Sequence, residues 1–423
     1  MKNFPTLINL CKELWPLNRS LTGKGTFQTL NILKKYNQKL KIKNFITGEK
    51  CFDWVVPQTW NVKEAFIITP DNKKICNYES NNLHLVGYSK SINMKIKLKN
   101  LKKKLYSTKK LKKAIPYLTT YYKKDWGFCI SENQKRELKD GIYHAYINSK
   151  FSNGKMNYGE YFIKGKSKKE IFFSTYICHP SMANNELSGP VLASAIINYL
   201  KNKKNYYSYR FVFIPETIGS ICYIHKNYNN LKKKVLMGFN LTCVGDEKKI
   251  SFLPSKYINS PGDKIIINLF SNNKKFKFYD WKDRGSDERQ YCSPLVDLPI
   301  SSLMKTKYGE FREYHNSEDK IGTTVTSKGL SESFKIYKKI ITEIENNFFP
   351  LAKKPCEPFL TKYKLYDTLS GKDKKNNNSK DLLDFLTWCD GKNSLNEISL
   401  KNKFSSSKTK KILNILLKNN LIK

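Results

Sequence analysis

The sequence predicts an α/β fold with a largely parallel sheet. Three observations carry that reading: apolar, β-branched runs alternate with stretches at helical spacing, each run ends in a polar cluster, and 423 residues can bury a large core. The organising stretch is Glu170 to Leu200. Glu170 to Ile177 reads as a buried strand, and Val191, Leu192, Ala195, Ile196, Tyr199 and Leu200 repeat at helical spacing after Pro190, which suits a first helical turn. The turn between them carries His179, Asn184, Asn185 and Glu186. It lies at the carboxyl end of a strand, where open α/β sheets bind ligands.

Residues 1–40 read as two helices around a break at Asn18 to Gly23, with Leu7, Leu10, Cys11 and Leu14 on one face of the first. Short β runs follow Trp54, and Glu64 to Thr69, Pro70-Asp71-Asn72 and Lys74 to Tyr78 form a hairpin pattern. Residues 42–115 are therefore expected to be a small β-rich inserted domain, and 1–41 with 116–350 the α/β core. Tyr209 to Ile214, Val235 to Leu241 and Leu298 to Leu303 are further strands, and Ser327 to Asn347 is a long amphipathic helix. Residues 351–423 change character. A polar stretch, Lys372 to Lys380, reads as a linker before three short helices, 381–388, 395–404 and 408–418. The second opens with a capping box, Ser394 and Glu397. Three such helices resemble a winged helix-turn-helix, read here as a packing or partner module.

The formal charge is 77 − 36 = +41. The excess is almost all Lys and spread along the chain, whereas a nucleic-acid surface clusters charge and interleaves aromatics with Arg, so a nucleic-acid partner ranks last. Ten Cys without a CxxC pair point to reduced packing thiols and a cytoplasmic protein. No run approaches the ~18 apolar residues of a membrane span. A homo-oligomer is compatible with everything in the sequence.

Polar clusters follow the strand runs: His179 with Glu186, then Glu216, Asp246, and Tyr314-His315; Arg284, Asp287 and Arg289 precede the last strand. Only five His occur, and two fall in these clusters. His179 and His315 could supply nitrogen ligands to a metal, Glu186 and Asp246 oxygen ligands, and Glu216 the general base for a metal-bound water. Three of the six Arg crowd into 284–312 of a Lys-dominated chain, which suits bidentate pairing with a carboxylate. Arg284, Asp287, Arg289 and Tyr314 are thus the candidate substrate-binding groups. The same residues also read as hydrogen-bonded structural groups and caps.

The runs Cys178 to Gly189, Ile214 to Ser220, Asp283 to Pro294 and Tyr308 to His315 resemble bacterial aminopeptidase-like proteins linked to polysaccharide biosynthesis, with an inserted small β domain and a C-terminal winged helix. The resemblance covers nearly the whole chain. It implies a three-layer α/β/α zinc-aminopeptidase core and a hydrolase acting on an amide of a peptide or of an aminoacylated or N-acylated sugar. The family's His positions match His179 and His315, and its base matches Glu216. Its bridging Asp falls on Asn185, a ligand Glu on Thr217 and a ligand Asp on Thr242. Two zinc ions are therefore not expected: the site holds one zinc on His179 and His315 with Glu186 or Asp246, or no metal at all, and the alternative function is a non-catalytic binding protein on a peptidase fold.

Overall fold

The computed structural model describes residues 4–366 and 378–423, so most of the expected linker lies outside the described residues. The chain divides into two compact units, residues 1–256 with 270–338, and residues 257–269 with 339–423.

The larger unit is built on an eight-stranded sheet. Its strands are β1 (Lys41–Ile46), β2 (Lys155–Ile163), β3 (Glu170–Tyr176), β4 (Ser208–Ile214), β5 (Val235–Asn240), β6 (Ile250–Leu253), β7 (Phe276–Phe278) and β8 (Ile300–Met304). Their order across the sheet is β1-β2-β4-β3-β5-β8-β6-β7. The pairings β3/β4, β3/β5, β5/β8 and β6/β7 are parallel, and β1/β2, β2/β4 and β6/β8 are antiparallel. The expected α/β sheet with a parallel centre is present.

The central strand β3 is buried along its whole length, as a strand covered on both faces must be. Phe173 stacks on Phe211 of β4 at 4.8 Å and meets Phe239 of β5 at 5.3 Å, so one aromatic layer locks the three strands in register. The helices α1 (Leu7–Leu14), α2 (Lys24–Tyr36), α3 (Ser188–Leu200), α4 (Ile218–Lys234) and α5 (Ser327–Asn346) flank or follow these strands. Every residue of α3 from Ser188 to Ile196 is buried, which fits its near-continuous apolar sequence.

A second, four-stranded sheet takes residues 74–75, 59–68 and 92–97 from the segment read as an insert. Its remaining strand, Ile142–Ser152, lies beyond that segment and pairs with both 59–68 and 92–97. The hairpin read at 64–78 is present as the antiparallel pairing of Ile67 with Ile75.

The smaller unit holds α6 (Asn378–Thr387), α7 (Leu395–Lys401) and α8 (Ser406–Lys418) around Leu382, Phe385, Ile398, Ile412 and Leu416. The Ser394–Glu397 capping box forms as its sequence suggests. Leu351 and Ala352 bridge to Asp390 and Ile422, a short β pairing beside the three helices. Among the described residues no helix is long and apolar enough to cross a membrane.

Candidate active site

The loops that leave β3, β4, β5 and β8 converge at one end of the parallel strands. Each contains a non-glycine residue in the left-handed region: Ser181 (φ 48°), Thr217 (φ 64°), Cys243 (φ 52°) and His315 (φ 57°). Such backbone is disfavoured, most of all for β-branched Thr217, and is held only where surrounding contacts over-determine it. Those contacts are visible. The Asp287 carboxylate accepts from Thr217 N at 2.8 Å and Ser220 Oγ at 2.9 Å, pinning the turn that opens α4. Between β3 and α3 the chain makes a π-helical turn, Ala183–Leu187, whose Asn184 and Asn185 amides both donate to Asp319, at 2.8 and 3.0 Å. Single π turns of this kind recur at functional sites.

His179 and Glu216 meet at the centre. His179 is buried, its Nδ1 lies 3.0 Å from Glu186 Oε2, and its Nε2 faces Glu216 Oε2 at 3.7 Å. Burial alone would lower the His179 pKa, but the Glu186 carboxylate and then Glu216 outweigh it, so it is raised and the imidazolium is favoured. Burial lifts the Glu216 carboxyl above its ordinary range despite the His179 charge. Its other oxygen accepts from Ser286 Oγ at 2.7 Å. Arg289 reaches the same turn, donating to Thr217 Oγ1 at 3.0 Å.

Glu186 is not free to act as a ligand. It is fully buried against Arg19 Nε at 2.6 Å, and it also accepts from the backbone N–H groups of Cys178 and His179. Arg19 in turn donates to the His179 carbonyl at 3.0 Å and the Leu14 carbonyl at 2.6 Å. The relay Arg19–Glu186–His179 fixes which face of the imidazole points at Glu216. Asp246 is likewise occupied. It accepts from Asn184 Nδ2, Lys248 N, and both N and Oγ1 of Thr306, all at 2.8–3.0 Å, and so staples loops together.

His315 lies with its ring centroid 5.4 Å from that of His179, and Tyr314 stacks on it at 3.9 Å. Its Nε2 is buried with no hydrogen-bond partner, and burial together with the His179 charge lowers its pKa to about 3. Arg284 is not brought to the centre: it is exposed, lies over the Trp281 ring at 5.6 Å and donates to the Trp281 carbonyl. Asp287 braces the Glu216 turn, and burial followed by the nearby Glu216 charge raises its pKa to about 8. Glu288 receives Gly285 N, Ser286 N, Tyr308 OH, Asn240 Nδ2 and Ser302 Oγ, which holds the loop that presents Ser286.

Comparison with known proteins places this architecture. Residues 8–347 match the model of the domain of unknown function DUF4910, and residues 350–423 match a winged helix-turn-helix model. The chain belongs to the DUF4910 family. It is 38% identical over 419 residues, 99% of this chain and 96% of the relative, to a Clostridium acetobutylicum protein named as a candidate polysaccharide biosynthesis protein with an aminopeptidase-like domain. A crystal structure of a candidate peptidase from Clostridium acetobutylicum superposes with a TM-score of 0.80 at 37% identity, covering 99% of this chain and 95% of that one. A zinc aminopeptidase from Bacillus subtilis gives 0.58 at 13% identity, covering 80% and 93%. A peptidase M28 precursor from Shewanella amazonensis gives 0.57 at 11% identity, covering 84% and 95%. The fold of this DUF4910 chain is thus aminopeptidase-like, with a C-terminal winged helix.

The donor set of this DUF4910 chain does not fit the expected zinc ion. Ligands on one tetrahedral zinc stand roughly 3.5 Å apart, given bond lengths near ~2.0–2.2 Å. His179, Glu186, Asp246 and His315 do not form such a group. Among the described residues, the one trio of His, Cys or carboxylate ligand atoms within 4.8 Å of one another is Cys178, His179 and Glu186. Glu186 there is neutralised by Arg19, and burial holds the Cys178 thiol far above its ordinary pKa, away from the thiolate that binds metal. Where the resemblance expects a bridging carboxylate the chain has Asn185, a neutral amide whose Oδ1 accepts from Tyr176 OH at 3.1 Å and which brings no negative charge to a cation.

Sequence reasoning missed Arg19, Tyr117 and Ser286. Tyr117 packs its ring 5.0 Å from His179 and 5.3 Å from His315, and its N–H donates to the His315 carbonyl at 2.9 Å. The rarity of Arg could have singled out Arg19 as it did the 284–312 group.

Proposed function

We propose that this chain is an amide hydrolase on the aminopeptidase-like fold, acting on an aminoacylated or N-acylated sugar in polysaccharide biosynthesis and working through hydrogen bonding rather than zinc. The observation that carries the reading is the His179–Glu216 pair, 3.7 Å apart at the end of adjacent parallel strands, with Glu216 raised in pKa by burial. Glu216 takes a proton from water as that water attacks the carbonyl carbon. The His179 Nε2–H group, held in place through Glu186 and Arg19, donates to the carbonyl oxygen as negative charge develops there. Glu216 then passes its proton to the nitrogen as the C–N bond breaks, giving a carboxylic acid and an amine. Arg289, beside Thr217, would hold a substrate carboxylate, and Tyr314 would form one wall.

The relative's name supports the sugar-pathway assignment, and the shared fold supports the amide chemistry. The test is amine release from N-acylated and aminoacylated amino sugars by wild-type protein and by Glu216→Gln. Loss of release in the variant with an unchanged melting curve supports the reading. Absence of release from every such sugar by wild-type protein sinks it. A binding protein is the second reading, favoured by the neutral Asn185, Thr217 and Thr242 where the resemblance puts carboxylates. It predicts saturable sugar binding without turnover.

A further inference from the structure

The turn that carries Glu186 has no side-chain cap of its own. Met182, which precedes the π turn Ala183–Leu187, makes no capping hydrogen bond, and the turn runs straight into α3. The first N–H groups of such an end need acceptors from elsewhere. Asp319 supplies them for three consecutive residues. Its carbonyl accepts from Ala183 N at 3.2 Å, its Oδ1 from Asn184 N at 2.8 Å and its Oδ2 from Asn185 N at 3.0 Å. Thr324 Oγ1 also donates to Oδ1, and Asp319 is fully buried. A carboxylate bound in this way makes charge-assisted bonds and sits at the positive end of the helix it caps.

Asp319 comes from the other side of the site. It lies four residues beyond His315, in the loop that follows β8. That loop is fixed separately, by Tyr117 N donating to the His315 carbonyl at 2.9 Å and Ser317 N to the Ile115 carbonyl at 2.8 Å. The anchor therefore joins the loop holding Tyr314 and His315 to the turn holding Glu186. Asn185 is the neighbour of Glu186, so fixing its amide leaves the Glu186 carboxylate little more than its own side-chain torsions to vary. That carboxylate lies 3.0 Å from His179 Nδ1, and a shift of about 1 Å would take it out of hydrogen-bond range.

Resting on the amide-hydrolase reading for its effect on rate, we propose that Asp319 is a positioning residue: by anchoring the π turn it sets Glu186 against His179 Nδ1 and so aims His179 Nε2 at the substrate carbonyl. Arg19 holds the Glu186 carboxylate, and Asp319 holds the backbone from which that carboxylate projects. Asp319 acts through Glu186 and not on the substrate.

The test is Asp319→Asn in the full chain, which keeps the side chain's size but turns one acceptor oxygen into a donor facing an amide N–H. Two readouts are taken near pH 7.5, above the burial-raised Asp319 pKa of about 6. The first needs no turnover. A buried His179 Nδ1–H bonded to Glu186 gives a downfield proton resonance, assigned by its absence in His179→Gln. Asp319→Asn is expected to lose this resonance while its amide spectrum keeps the dispersion of a folded chain. The second readout is amine release, with kcat expected to fall at least about tenfold and KM to stay within about twofold. Should Asp319→Asn not fold, Thr324→Val decides: it removes the hydroxyl that donates to Asp319, and it should weaken the resonance and lower kcat by a smaller factor. A folded variant with the wild-type resonance and kcat overturns the proposal, whatever its melting temperature, and so does a wild type without the resonance. Absence of amine release by wild-type protein sinks the hydrolase reading alone, because the resonance still decides whether Asp319 positions His179.

Discussion

At the residue scale the chemistry rests on how His179 is held between two carboxylates, Glu186 at 3.0 Å and Glu216 at 3.7 Å. Glu216 acts only when ionised and His179 polarises only when protonated, so the rate should follow a bell in pH. The acid limb falls above Glu216's ordinary 4.5, because burial raises that carboxyl. The alkaline limb falls above the ordinary 6.5 of histidine, because Glu186 raises His179. Glu216→Gln should lower turnover by about 10²–10⁴-fold and remove the acid limb, which initial rates across pH 4–9 would show. Arg19→Met tests the other side of His179. It strips buried Glu186 of the guanidinium and leaves it only His179 and two backbone N–H groups, a loss of about 1.5–3 kcal/mol, seen as a lower urea midpoint at pH 7. A variant as stable as wild type would mean that Glu186 is not held by Arg19.

At the element scale the π turn and α3 place Glu186 beneath His179. Gly189, near the start of α3, is packed so closely that an added Cβ would sit 2.4 Å from both the Leu241 carbonyl oxygen and Thr175 Oγ1. Gly189→Ala must push α3 away from β3 and β5, and a destabilisation of about 1–3 kcal/mol is expected, measurable by denaturant unfolding. The strands and helices around this turn were legible in the sequence because their apolar spacing is local: the β3 run, the α3 repeat and the Ser394 capping box all carry their signal within a few residues. Which carboxylate is available was not legible. Glu186 and Asp246 look alike as ligands on paper, but Arg19, 167 positions from Glu186, and Thr306, 60 positions from Asp246, occupy them. Spacing along a chain does not report a pairing made by the fold. The four-stranded sheet shows the same limit, since its 142–152 strand comes from outside the segment that reads as one β-rich piece.

At the scale of the whole molecule, buried titrating groups tie stability to pH in opposing directions. His315 has a folded pKa of about 3 against an ordinary 6.5, so the unfolded chain binds more protons between these values. Its contribution is present above pH 6.5 and is lost as pH falls toward 3. Asp319, lifted to about 6 by burial, works the other way: its folded form holds a proton the unfolded chain has released, a contribution lost as pH rises from 3.8 to about 6. His315→Gln should therefore lose less stability than wild type between pH 7 and pH 4, as read from urea midpoints. An unchanged difference would mean that His315 protonates freely in the fold.

The central claim is that this aminopeptidase-like centre uses His179, Glu216 and their hydrogen-bonded supports in place of zinc. Elemental analysis of untagged protein purified without chelators, beside His179→Ala, tests it most directly. The account predicts no stoichiometric zinc in either protein, before or after dialysis against zinc. About one zinc per chain in the wild type, lost in His179→Ala, would contradict it.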